Sequence, residues 1–225
     1  KVQPGEHYLD AKVSIANLTS RTKGIDAAIK MLDELPDLDA EQQVLVLQAE
    51  ASLLVQVKKY EEAYNLLDNA MNTLPNTPEL VYDHAMAAER LQRLDVMEKE
   101  LRRLIQIKPD FAQAYNALGY SLADHNMRLD EARGLIEKAL TLSPNDYFIL
   151  DSMGWVQYRL GKLDKAADYL RRAYTVQTDP EIAAHLGEVL WQQGKHDEAV
   201  KTWEEALREH PDNESLLNTT KKFKP

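Results

Sequence analysis

The sequence has 225 residues, no cysteine and a formal net charge of −10, from 27 Lys and Arg against 37 Asp and Glu. Without cysteine there is no disulfide framework, thiolate metal site or cysteine nucleophile, and the acidic balance is ill suited to general nucleic-acid binding, which needs clustered Lys and Arg against phosphates. Only 8 Gly and 9 Pro among abundant Leu, Ala, Glu and Lys favour an all-helical chain, and no apolar run approaches the ~20 residues that cross a bilayer.

The chain begins at Lys1 without Met or a signal segment, as expected of a mature or trimmed fragment, so any targeting signal would lie outside it. Residues 1–43 read as an irregular first repeat and connector. Residues 24–35, GIDAAIKMLDEL, have the apolar spacing of the second helix of a hairpin, and Pro36 to Asp39 form a longer link. From residue 44 a period near 34 sets in. A small residue of a second helix recurs at Ala63, Ala132, Ala166 and Ala199, with Met97 as the exception in size. Seven residues later the same spacing runs through Ala70, Leu104, Ala139, Ala173 and Ala206. A third series lies in the first helix: Ala51, Ala85, Gly119, Gly154 and Gly187. Pro75, Pro109, Pro144 and Pro211 punctuate the exits. Three series in step place five units at 44–77, 78–111, 112–146, 147–179 and 180–213. Each holds helix A, a short turn, helix B and an exit whose Thr77-Pro78, Asp179-Pro180 or Pro211-Asp212 suits a helix start. The unit from Pro78, with His84-Ala85 and Met97, is expected to pack more loosely. Residues 214–225 read as a partial capping helix, with Leu216 and Leu217 covering the last unit and a frayed KKFKP tail.

The stretch 151–173 shows the layout most clearly. Gly154, Ala166 and Ala173 sit where two helix backbones must approach, and Met153, Trp155, Tyr158, Leu160, Leu163 and Leu170 fill the gaps. In the unit from Ala112 the offsets are Tyr115, Leu118-Gly119, Leu122, Ala132, Ile136, Ala139 and Pro144. In the last unit they are Leu186-Gly187, Leu190, Ala199, Trp203, Ala206 and Pro211. This pattern resembles the tetratricopeptide repeat (TPR). The resemblance implies an all-α, right-handed α-solenoid of about six helix-turn-helix units whose A helices line a concave groove for a peptide or a partner's helix. A narrower likeness rests on Asp151-Ser152-Met153-Gly154-Trp155 and on 184–191, AHLGEVLW. These are similar to the C-terminal repeats of proteobacterial outer-membrane lipoproteins that act as adaptors for a periplasmic carboxyl-terminal processing protease. That likeness implies the protease and its substrates as partners, and a periplasmic, outer-membrane-associated location; a cytoplasmic one is the alternative. Any contact with the membrane would run through a lipid anchor outside this chain.

The family's groove positions fall, in successive units, on Glu79, Tyr82, Met86, Glu89 and Arg90; Gln113, Asn116, Tyr120, Ala123 and Asp124; Phe148, Asp151, Trp155, Tyr158 and Arg159; and Glu181, Ala184, Glu188, Trp191 and Gln192. Aromatic residues with a polar tip carry much of the energy at interfaces. The candidate partner-binding residues are therefore Tyr82, Arg90, Tyr120, Trp155, Tyr158, Arg159, Glu188 and Trp191, while Trp203 is core. Tyr120 and Trp155 serve helix packing equally well. Arg90 and Arg159 are expected to be solvated or locally paired, with Glu89 and Asp151 nearby, and otherwise to meet an acidic group of a partner. The Lys–Asn pair of the family's carboxylate clamp is absent, because its fifth positions are Gln48, Tyr82, Asn116, Asp151 and Ala184.

No catalytic or nucleotide-binding motif is present. The six histidines are scattered, so no metal and no cofactor is expected. His185 reads as a satisfied, partly buried residue. The expectation is a non-enzymatic protein-interaction scaffold, in its sharpest form an envelope protease adaptor. The alternatives are a regulatory arm of a larger enzyme such as a glycosyltransferase, or a self-assembling structural repeat.

Overall fold

The computed structural model describes residues 8–223, which hold thirteen α-helices and no strand. The chain divides into two compact units, residues 1–109 and 110–225. In unit 1 the helices are α1 (Tyr8–Lys23), α2 (Ile25–Asp33), α3 (Ala40–Gln56), α4 (Tyr60–Thr73), α5 (Pro78–Arg90) and α6 (Leu94–Ile107). Unit 2 has α7 (Ala112–Asp124), α8 (Leu129–Leu142), α9 (Tyr147–Arg159), α10 (Leu163–Val176), α11 (Pro180–Gln192), α12 (His196–Glu209) and α13 (Glu214–Phe223). The helices are those of an α-solenoid: each odd-numbered helix up to α11 packs antiparallel on the next in the chain, and within each unit the hairpins stack on their neighbours.

One turn geometry recurs in five hairpins. Lys58, Gln92, Asn126, Gly161 and Gly194 adopt positive φ, from 56° to 77°, just past the first helix. The next amide closes a bond to the carbonyl five residues back: Lys59 to Leu54, Arg93 to Ala88, Met127 to Leu122, Lys162 to Gln157 and Lys195 to Leu190, at 2.8–3.0 Å. This is the Schellman closure, which satisfies carbonyls the helix leaves open. The third of these turns holds one residue more, and Arg128 takes up the extra length with φ 42°. Helix starts are fixed by side chains. Asp39 and Gln42 form a capping box on α3, and Asp146 and Asp179 accept two amide bonds each on α9 and α11. Each such cap contributes about 1 kcal/mol. Thr77 makes no side-chain cap bond, and Pro78 occupies the first turn of α5 instead. The cap of α13 is Asn213, whose Oδ1 accepts from Leu216 N at 2.9 Å, and not Pro211-Asp212.

The small residues mark where paired helices touch. A Cβ on Gly119 would stand 2.6 Å from Ile136 Cγ1, one on Gly154 2.5 Å from Leu170 Cγ, and one on Gly187 2.0 Å from Trp203 Nε1. Small against large across each hairpin is the sequence repeat expressed as packing. The unit with His84 and Met97 is not loose: both are buried, at 2% exposure each. His84 sits 4.4 Å from the Tyr64 ring with neither ring nitrogen hydrogen-bonded. Burial lowers its pKa, outweighing the pull of Asp68 and Glu100, so the ring is accommodated neutral. At the other end Leu216 is fully buried, and the helix continues through Lys221 and Lys222 to Phe223, instead of fraying. Phe223 stacks on Trp203 at 5.9 Å and meets Trp191 at 6.0 Å. Residues 224 and 225 lie outside the described residues.

Candidate partner-binding face of unit 2

In unit 2 the A helices α7, α9 and α11 pack on one another in series, and α13 packs on α11. Their shared face carries six of the eight expected residues. Tyr120 comes from α7, Trp155, Tyr158 and Arg159 from α9, and Glu188 and Trp191 from α11. Tyr82 and Arg90 lie on α5 in unit 1, the first half-buried and the second exposed at the helix end. Beside Tyr82, Gln48 donates to Asp83 at 2.7 Å, tying α3 to α5.

Each of the six turns out to be bonded or packed in a way that its offset alone does not reveal. Trp155 is buried, at 7% exposure, and its Nε1 donates to Asp124 Oδ1 at 3.2 Å. Arg159 does not pair with Asp151. Its Nε donates to Ala123 O at 3.0 Å and its Nη2 to Asp124 O, so the guanidinium closes the carboxyl end of α7, where a cation is favoured. The same guanidinium lies 5.6 Å from the Trp155 ring centre. Asp151 instead accepts from His185, whose Nδ1 is 2.9 and 3.0 Å from its two oxygens. The imidazole stacks on Trp155 at 4.2 Å, and the Tyr120 ring stands 6.3 Å away.

Glu188 is buried and doubly held. It accepts Tyr158 OH at 3.0 Å and Lys222 Nζ at 3.1 Å, the second from α13. Burial, then the Glu188 charge, pushes the Tyr158 phenol up to about 12, so it stays a donor at any ordinary pH. Trp191 does not stand open. It is packed between His196 at 4.2 Å, Trp203 at 5.9 Å and Phe223 at 6.0 Å. Trp203 is core at 1% exposure, with its Nε1 directed to Ala184 O at 3.4 Å. Among the large apolar side chains of this face Phe148 is the exposed one, at 53%. It shares a helix stripe with Asp151 and Trp155, which follow at i+3 and i+7.

The expectations contain none of these bonds, among them Asp151 with His185, Trp155 with Asp124, and Glu188 with Lys222. A signal for the first existed, since an acid and a base on adjacent A helices stand 34 residues apart, one repeat period. Among the described residues no group of three or more His, Asp or Glu is arranged to hold a metal ion. The face offers aromatic surface and hydrogen-bond donors held in place by carboxylates.

The tetratricopeptide repeat profile matches residues 82–147 and 152–214. The chain belongs to the tetratricopeptide repeat family. A TPR repeat-containing protein of Pseudomonas aeruginosa is 40% identical over 188 residues, which are 84% of this chain and 32% of that protein. Human RNA polymerase II-associated protein 3 is 25% identical over 150 residues, 65% of this chain and 21% of its own length. The chain thus spans a third or less of these two relatives. Among solved structures, a thermophilic TPR protein of Thermus thermophilus superposes with a TM-score of 0.71 at 24% identity, covering 82% of this chain and 97% of that one. YrrB, described as a TPR protein with an unusual peptide-binding site, gives 0.55 at 20% identity, covering 79% of this chain and 90% of its own. The TPR fold of this chain is that of a protein-interaction scaffold.

Proposed function

We propose that the α7–α9–α11 face of this TPR chain receives an extended segment of a protein partner. In the parent protein, the chain would serve as an envelope adaptor that brings a carboxyl-terminal processing protease to its substrates. The observation that carries the first part is the set of aromatic side chains Tyr120, Trp155 and the more than half exposed Phe148 on these helices, where Trp155, Tyr158 and Arg159 are held by bonds to the neighbouring helices. A rigid aromatic surface binds a chain without first losing side-chain freedom. That YrrB carries an unusual peptide-binding site on the same fold supports the reading. The protease, the periplasmic location and an anchor outside this chain rest on the likeness of 151–155 and 184–191 to the lipoprotein adaptors. The 32% share of the Pseudomonas relative favours a second reading, in which the chain is the regulatory arm of a larger protein.

The test uses the purified carboxyl-terminal processing protease of the same organism, passed over the immobilised chain. Wild type is compared with a Tyr120→Ala/Phe148→Ala variant of matched unfolding midpoint. Binding by the wild type and at least about tenfold weaker binding by the variant is expected for the loss of two aromatic anchors. Equal binding by both would remove the face from the proposal, and no binding by either would remove the protease.

A further inference from the structure

We propose that His185 supplies the hydrogen bond by which this face holds its partner. Backed by Asp151, its protonated imidazole presents Nε2–H to a neutral carbonyl oxygen of the bound segment, which is held in acid and released as the ring gives up that proton. This rests on the reading of the face as a peptide site.

His185 is already half used by the fold. Its Nδ1 bonds to Asp151, which is itself only 7% exposed, and that link joins α9 to α11. A carboxylate behind Nδ1 fixes the tautomer, so the neutral ring carries its hydrogen on Nδ1 and the charged ring carries a second on Nε2. Among the described residues Nε2 makes no hydrogen bond, yet it is not one of the buried unpartnered atoms, and the side chain keeps 15% exposure. A purely packing role would be complete at Nδ1 and would leave Nε2 enclosed. Here Trp155 covers a ring face at 4.2 Å, and the edge bearing Nε2 remains in reach of solvent.

The surrounding charges decide what Nε2 can take. Asp151 stands on α9 and Glu181 and Glu188 on α11; burial disfavours the charged ring, and these three carboxylates outweigh it, raising the pKa of His185. Of the other charged or titratable groups on α7, α9, α11 and α13, Tyr120 and Asp124 on α7, Tyr158 and Arg159 on α9 and Lys222 on α13 take part in the contacts of this face, and Tyr115 on α7, Tyr147 on α9 and Glu214 and Lys221 on α13 are the rest. Of the cations, Arg159 is engaged on backbone carbonyls and Lys222 on Glu188, while Lys221 lies beside Val200 and Glu204 on the α12 side. A partner carboxylate would meet three carboxylates with no cation to spare. A backbone or amide carbonyl suffers no such repulsion and takes a strong bond from an imidazolium. The rings of Trp155 and Tyr120 beside His185, with the exposed Phe148 two turns earlier on α9, then suit an apolar or aromatic side chain next to that carbonyl.

The probe is a linear dodecapeptide selected from a phage-displayed library on the immobilised chain at pH 5.5, synthesised with a fluorescent label and an amidated C-terminus. Its affinity is measured by anisotropy from pH 5.5 to 8.5 on wild type, His185→Ala and His185→Gln, with circular dichroism showing equal folding. The wild type should weaken about tenfold or more with rising pH, the effect of losing one charge-assisted hydrogen bond. His185→Ala should bind weakly throughout. His185→Gln, whose amide donates at every pH, should bind without pH dependence and more tightly than wild type at pH 8.5. In NMR spectra the peptide should shift the His185 Nε2 resonance and leave Nδ1 bonded to Asp151. A wild type that binds equally at both pH extremes, or a His185 Nε2 unmoved by the peptide, overturns the inference while leaving the peptide site standing. A library that yields no binder at pH 5.5 overturns the peptide site itself, and this inference with it.

Discussion

Glu50 should make unit 1 weaker as the pH rises toward neutrality, and replacing it with Gln should remove that weakness. The residue lies on α3 at 4% exposure, and its Oε1 has no hydrogen-bond partner. Burial first, then the charge of Asp33 and a hydrogen bond to it, pushes its carboxyl up to about 7 from an ordinary 4.5. A carboxyl with a raised folded pKa binds a proton more tightly in the native state than in the unfolded chain. Its contribution to stability is therefore complete below about pH 4.5 and is lost as the pH climbs through about 7. A shift of this size at 1.36 kcal/mol per unit corresponds to about 3 kcal/mol lost over that window. In the Glu50→Gln variant the amide never ionises and can donate to Asp33. The assay is urea unfolding followed by circular dichroism at pH 5 and pH 8, with hydrogen exchange of the α3 amides as the local readout. Titrations elsewhere cancel in the difference between the two proteins. The variant should match wild type within about 1 kcal/mol at pH 5 and exceed it by about 2–3 kcal/mol at pH 8. Two profiles that stay parallel would refute the reasoning, because Glu50 would then have the same pKa folded and unfolded.

Packing and turn geometry give two more expectations. Gly187→Ala brings a methyl to 2.0 Å from the Trp203 indole, whose ring cannot bend aside, whereas Gly154→Ala meets the flexible Leu170 side chain at 2.5 Å. The first should cost about 1–3 kcal/mol and the second clearly less, read as thermal midpoints; equal midpoints would refute the rigid-ring argument. Gln92 holds φ 58° in its hairpin turn, where Gly161 and Gly194 stand in later repeats. Gln92→Gly should stabilise unit 1 by about 0.5–1 kcal/mol, the relief of a left-handed side-chain clash less the added freedom of the unfolded chain, and a lower denaturation midpoint would count against it.

The helical repeat is legible in the sequence because it is written in residue size. Gly119, Gly154 and Gly187 face Ile136, Leu170 and Trp203 across their hairpins, an offset of 16 residues that grows to 17 only where the turn after α7 is one residue longer. Trp203 as core follows from the same rule. The bonds of the candidate face are less legible, since they depend on which way a side chain turns. Arg159 has a carboxylate within reach in sequence at Asp151, yet the open carbonyls of α7 take it. Asp151 is thereby left to His185, which sits one position past the expected groove offset because the unit before it is a residue shorter. Trp191 has a groove offset too, but Phe223 from a tail expected to fray packs against it. In the α3–α4 and α5–α6 hairpins Lys58 and Gln92 stand in left-handed turns with no glycine to announce them.

The tertiary bonds of the candidate face share a length. Trp155 to Asp124 spans 31 residues, Tyr158 to Glu188 30, Arg159 to Ala123 36, His185 to Asp151 34 and Lys222 to Glu188 34. Each reaches one period along the chain and stops. A molecule tied this way is stitched as a zip is, and information about a fault travels only as far as the next tooth. Losing α13 would strip Glu188 and Trp191 of their outer neighbours while the α7–α9 pair kept its own bonds. Such short loops also close at small entropic cost, so folding can begin at any well-packed hairpin and spread outward in both directions. The Gly187–Trp203 hairpin, with the largest ring in the core seated against the smallest residue, is a natural place for it to start.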